Sequence, residues 1–70
     1  MRLKQLRRQR GISQLKLAMD LGLNQNSISR YESGERETPA WVVVKLADYY
    51  KVSTDYLLGR TDDPTPPKGR

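Results

Sequence analysis

The stretch ISQLKLAMDLGLNQNSISRYESGER, residues 12–36, carries two helical patterns with hardly any chain between them. Ser13 is a good N-cap, because a hydroxyl can accept from the free N–H groups of a first turn. Leu17, Ala18 and Leu21 then fall on one face of a helix over residues 14–21. Gly22 stands where helices stop in a left-handed turn. Asn24 caps a further helix over 25–32, with Ile28 and Tyr31 on its apolar side and Gly34 closing it. Its other side is unusual. Surface helices are commonly filled with Glu and Lys. This one offers Gln25, Asn26, Ser27, Ser29 and Arg30, a set of amides and hydroxyls with one guanidinium.

The rest of the chain extends the same pattern in both directions. Leu3 and Leu6 give residues 2–10 the apolar side of a first helix, ended by Gly11. Thr38 and Pro39 open a fourth helix over 39–51, since proline suits the first helical position. Ser53 caps a short fifth helix over 54–58, stopped by Gly59. No strand alternation and no internal repeat occurs, so the expected class is all-α, a compact five-helix bundle. The expected core is Leu17, Leu21, Leu23, Ile28, Tyr31, Leu46, Ala47, Tyr50, Val52, Leu57 and Leu58. Residues 60–70, RTDDPTPPKGR, hold three prolines and no apolar side chain. They read as a disordered tail or the start of a linker, with the folded domain at 1–59 and indifferent to truncation after Gly59.

Composition narrows the function. Seventy residues form one small domain with a modest core. The chain has no Cys and no His. A disulfide framework, a thiolate metal site and the commonest general base are thereby excluded. The carboxylates are scattered without an evident pair, so neither an enzyme, nor a cofactor, nor a metal is expected. No segment is apolar for long enough to span a membrane or serve as a signal peptide, and a cytoplasmic location is the expectation. The net charge is +5. Its placement is the informative part: Arg2, Lys4, Arg7, Arg8 and Arg10 precede the first acid, and the charges balance from Gly11 onward. A basic segment points either to a polyanionic partner or to a solvated helix face.

Two helices joined by about three residues including a glycine, with small Ala18 allowing close approach, are typical of a helix-turn-helix. The stretch 12–36 resembles the phage-repressor and Cro-type family, also called lambda-repressor-like or xenobiotic-response-element proteins. The matching positions are Gln14, Leu17, Ala18, Leu21, Gly22, Leu23, Ile28, Glu32 and Gly34. LADYYKVSTDYLLG, residues 46–59, is similar to that family's fourth and fifth helices. The likeness spans residues 2–59 and departs at AWVVV, which is more apolar than the family's usual polar stretch.

The resemblance implies a sequence-specific regulator of transcription, a repressor, that reads double-stranded DNA at a palindromic operator as a dimer. Residues 24–33 would be the recognition helix. Amides pair bidentately with adenine, whereas a Glu-rich face is repelled by phosphates and a Lys-rich face binds without discriminating. Gln25, Asn26, Ser27 and Arg30 are thus the expected base contacts, with Arg30 open to either a guanine or a phosphate. Ser13, Gln14, Asn24, Ser33, Arg36 and Arg10 are the phosphate candidates, plain exposure being the alternative for Arg10 and Arg36. Arg7 and Glu32 are implied to form a structural ion pair. Helix four has more apolar residues than one inward stripe of Val43, Leu46, Ala47 and Tyr50 requires. Trp41, Val42 and Tyr49 are therefore assigned to a homodimer contact, weak without DNA. The competing function is an antitoxin-like interaction protein that holds a protein partner, with DNA binding secondary.

Overall fold

The computed structural model describes residues 1–67. Five helices follow one another: α1 (Leu3–Gln9), α2 (Gln14–Leu21), α3 (Gln25–Ser33), α4 (Ala40–Tyr50) and α5 (Thr54–Leu58). No strand occurs among the described residues. Side-chain oxygens start three of the helices. Ser13 Oγ accepts from the Lys16 N–H, Asn24 Oδ1 from that of Ser27 and Ser53 Oγ from that of Tyr56. Each satisfies a first-turn donor that the helix itself leaves open. Helix α4 begins differently from expectation. Pro39 is its cap, not its first residue, and the Pro39 carbonyl accepts from Val42 and Val43.

The tight joint between α2 and α3 depends on Gly22 at φ 70°. Its N–H and that of Leu23 return to the last carbonyls of α2, at Met19 and Ala18. That closure turns the chain sharply, and an L side chain would strain it. Helices α2 and α3 consequently pack on one another more extensively than any other pair. Helix α1 lies against α3, and α5 against α4. One core joins all five helices, with Leu3, Leu17, Ile28, Leu46, Tyr50 and Leu57 fully enclosed.

Three expectations are corrected here. Val42 is 0% exposed and belongs to the core, so it cannot be a dimer contact. It heads the row Val42, Leu46, Tyr50 at i, i+4 and i+8, which makes the inward stripe of α4 wider than the sequence reading allowed. Leu58 is 43% exposed and is not core, because Leu57 takes the inward position of the short α5. Leu23 is half-buried at the edge.

The segment after Gly59 is not free. The Arg2 guanidinium donates to the Thr61 carbonyl at 3.0 Å and to Asp62 Oδ1 at 2.9 Å, while its Nε donates to the Tyr56 carbonyl at 2.8 Å. The Ser53 N–H donates to the Pro64 carbonyl. Thr61 and Asp62 are therefore held by Arg2 from the opposite end of the chain and Pro64 by the start of α5, which a composition of prolines and acids does not reveal. The part of the expected tail over 68–70 lies outside the described residues.

Candidate nucleic-acid interface

Helix α3 is anchored by Ile28 and Tyr31, which are buried. The spacing of 3.6 residues per turn then directs Gln25, Asn26, Ser29, Arg30 and Ser33 outward, and all are exposed. Two rows result. Gln25, Ser29 and Ser33 run along one side at i, i+4 and i+8, and Asn26 and Arg30 run along the other. Among the described residues, the Gln25 and Asn26 amides and the Arg30 guanidinium have no hydrogen-bond partner. Three polar groups thus project with all donors and acceptors available. Ser27 is half-buried at the margin, with its N–H in the Asn24 cap.

Below this face lies a charged brace. Arg7 Nε donates to Glu32 Oε2 at 2.6 Å and Arg7 Nη2 to Oε1 at 3.2 Å, and Nη1 donates to the Ile12 carbonyl. The side chains are 13% and 4% exposed. Gln14 Nε2 adds a third bond to Glu32 Oε1 at 3.1 Å. Burial pushes the Glu32 carboxyl up, but the hydrogen bonds from Arg7 and Gln14 and the charges of Arg7 and Lys4 outweigh it, leaving it below the ordinary range. The Arg7 guanidinium is held above its usual value, chiefly by its bond to Glu32. One ionised carboxylate thereby ties α1, α2 and α3 together.

The remaining polar candidates divide. Ser33 Oγ donates to the Arg30 carbonyl and accepts from the Glu35 N–H, within the turn that leaves α3. Arg36 is exposed beyond that turn. Arg10 is elsewhere engaged: its guanidinium donates to the Tyr50 carbonyl at 3.2 Å and lies over the Tyr50 ring. A cation at the C-terminus of α4 complements the carbonyls gathered there. Arg10 is therefore a structural residue here and not part of the exposed α3 face.

A family model described as a helix-turn-helix domain matches residues 1–62. The chain belongs to the helix-turn-helix domain family. It is 42% identical to the uncharacterized HTH-type transcriptional regulator YobD of Bacillus subtilis (strain 168) over 65 residues, 93% of this chain and 58% of that protein. It is 39% identical to the HTH-type transcriptional regulator ImmR of the same strain, covering 87% of this chain and 48% of the relative. The chain thus spans about half the length of the curated relatives it matches. No solved structure matches it. As a helix-turn-helix domain, the chain has α2 and α3 as its paired helices, with α3 in the position that enters a major groove in proteins of this architecture. Sequence reasoning placed Ser29 on the polar face of this helix but assigned it no contact. Its signal was present in the i, i+4, i+8 spacing of Gln25, Ser29 and Ser33. The engagement of Gln14 with Glu32 left no such signal, because the two are brought together only by the fold.

Proposed function

We propose that this domain binds double-stranded DNA sequence-specifically, with α3 in the major groove, and that the protein is a transcription regulator acting as a repressor. The observation that carries the reading is the outer face of α3. Gln25, Asn26 and Arg30 project there, exposed and without partners, on a helix fixed from beneath by Ile28, Tyr31 and the Glu32 brace. Gln and Asn pair bidentately with adenine N6 and N7, and Arg with guanine O6 and N7. Ser27 reaches the groove from the margin. Ser13, Asn24, Ser33 and Arg36 surround the face as backbone contacts, and Gln14 both holds Glu32 and lies at the groove edge. Such a domain would repress by occupying a promoter and blocking access to it.

Two copies bound about a two-fold axis would read half-sites roughly 34 Å apart, one turn of DNA. Trp41 at 59% exposure, with Val44 and Leu58, supports a self-association surface. Selection of bound sequences from a random duplex pool, followed by footprinting, tests the reading. Recovery of a palindromic site is expected. Gln25→Ala and Asn26→Ala should each lose about 1–3 kcal/mol of discrimination between that site and its variants, with non-specific affinity nearly intact. Enrichment of no sequence, or mutants that keep the wild-type preference, would overturn it. A co-purifying protein partner together with no preferred DNA sequence would favour the interaction-protein reading.

A further inference from the structure

The basic N-terminal segment contains more cations than the fold uses. Arg2 is committed to Thr61 and Asp62, Arg7 to Glu32, and Arg10 to the end of α4. Lys4 and Arg8 remain, exposed and without an ion pair among the described residues. They lie at i and i+4 on one face of α1. Lys4 also lines a depression of about 150 Å³ with Gln14, Ser29, Glu32 and Ser33. That depression borders α3 on the side of the Gln25, Ser29, Ser33 row.

We propose that Lys4 seats a phosphodiester of the DNA backbone in this depression, as a binding residue that α1 contributes to the interface. The inference rests on the DNA-binding reading of α3 and adds a contact to it. A helix lying in a major groove about 12 Å wide has a sugar–phosphate strand along each flank. The flank bearing Arg30 has a cation of its own. The opposite flank has no cation on α3, only the Gln25 amide and the Ser29 and Ser33 hydroxyls, and Lys4 supplies the missing positive charge there from α1. The charge of Glu32 is offset at this point by the Arg7 guanidinium, which binds both its oxygens. The Ser29 hydroxyl remains available as a donor beside the ammonium, since among the described residues it has no partner. The ligand class is a backbone phosphate, so the contact acts on every sequence alike.

Binding of the full chain to a mixed-sequence duplex, followed by fluorescence anisotropy across salt concentration, tests the seat. Each neutralised phosphate adds about 0.9 to the slope of log affinity against log salt. Lys4→Ala should lower the slope by that amount, so that its deficit against wild type shrinks about 3.5-fold between about 50 and 200 mM salt. Lys4→Arg should restore the slope. Arg60→Gln, which removes an exposed cation at the end of α5, gives the effect of net charge alone and should leave the slope near wild type. Lys4→Ala should keep the wild-type melting temperature. A wild-type slope in Lys4→Ala, or a loss no larger than in Arg60→Gln, would overturn the seat and leave the α3 reading standing. A wild type without salt-dependent binding would overturn both.

Discussion

Glu32 sets the geometry of the reading face without belonging to it. Its carboxylate receives bonds from Arg7 and Gln14 while 4% exposed, so removal of its charge strands a largely enclosed guanidinium. Loss of one partner of a buried pair costs about 3–5 kcal/mol. Arg7 keeps its bond to the Ile12 carbonyl, so Glu32→Gln should lie near the lower end, about 3 kcal/mol. That is a large share of the roughly 4–10 kcal/mol available to a domain of this size, and urea denaturation measures it. The pH dependence follows from the direction of the Glu32 shift. A carboxyl held lower in the folded chain stabilises fully above its unfolded value, about 4.3, and the contribution disappears as pH falls through the folded value. Stability should therefore drop below about pH 4, and less steeply in Glu32→Gln. Equal acid sensitivity in both would remove Glu32 as the cause. Tyr50 is the contrary case. Its hydroxyl is buried without a hydrogen-bond partner among the described residues, and burial pushes its pKa up to about 12. Deleting an unsatisfied buried hydroxyl returns its desolvation cost, so Tyr50→Phe should be neutral or stabilising by about 1 kcal/mol. A loss of similar size in thermal melts would show that the hydroxyl is bonded.

Helix α5 has only five residues, too few to persist alone, so its attachments decide whether it forms. The Ser53 side chain caps it, the Ser53 N–H is tied to Pro64, and Arg2 bonds the Tyr56 carbonyl and stacks on the Tyr56 ring at 4.4 Å. Truncation after Gly59 removes the Pro64, Thr61 and Asp62 acceptors. With about 1 kcal/mol net for each hydrogen bond, the loss should be about 1–3 kcal/mol. Differential scanning calorimetry should then show a fall of several degrees, at about 4–8 °C per kcal/mol. Truncation after Pro67, which keeps all three acceptors, is the reference. Equal melting temperatures for the two would return the segment to a free tail. The example shows which elements the sequence made legible. Helices announced by a capping Ser or Asn, a closing Gly and an apolar face lie within a residue or so of expectation, because those signals are local. Arg2 to Asp62 spans nearly the whole chain, and no local pattern marks it. The same limit applies to Arg10 and Gln14. Their residue types suit a phosphate, and only packing against Tyr50 and Glu32 reveals the competing partner. In α4, periodicity located the buried side but underestimated its width, which misplaced Val42.

At the scale of the whole molecule, apolar surface is left over on α4 and α5. Trp41 and Val44, three apart on α4, are exposed, as is Leu58 on α5. Leu58 stands between two shallow grooves of about 470 and 420 Å³ that share Glu37 and Thr38. Tyr49, expected in the same surface, contributes less: it is half-buried and its hydroxyl donates to Asp20 Oδ2 at 2.6 Å, bracing α4 against α2. A two-fold contact is self-complementary, so a ridge such as Leu58 must meet a groove of the same surface on the second copy. The patch contains few large apolar side chains, whereas stable complexes bury roughly 1,200 Å² or more. Self-association should therefore be weak in solution. It should become evident on DNA, where two adjacent half-sites raise the effective concentration of one copy for the other. Sedimentation across concentration, together with titration of a full palindrome and of a single half-site, measures both. Wild type is expected to bind the palindrome cooperatively. Trp41→Ala and Leu58→Ala should abolish the cooperativity and leave half-site affinity near wild type, because neither residue is among the proposed DNA contacts and the charge is unchanged. Non-cooperative binding by the wild type, with both variants indistinguishable from it, would show that each domain reads its half-site alone.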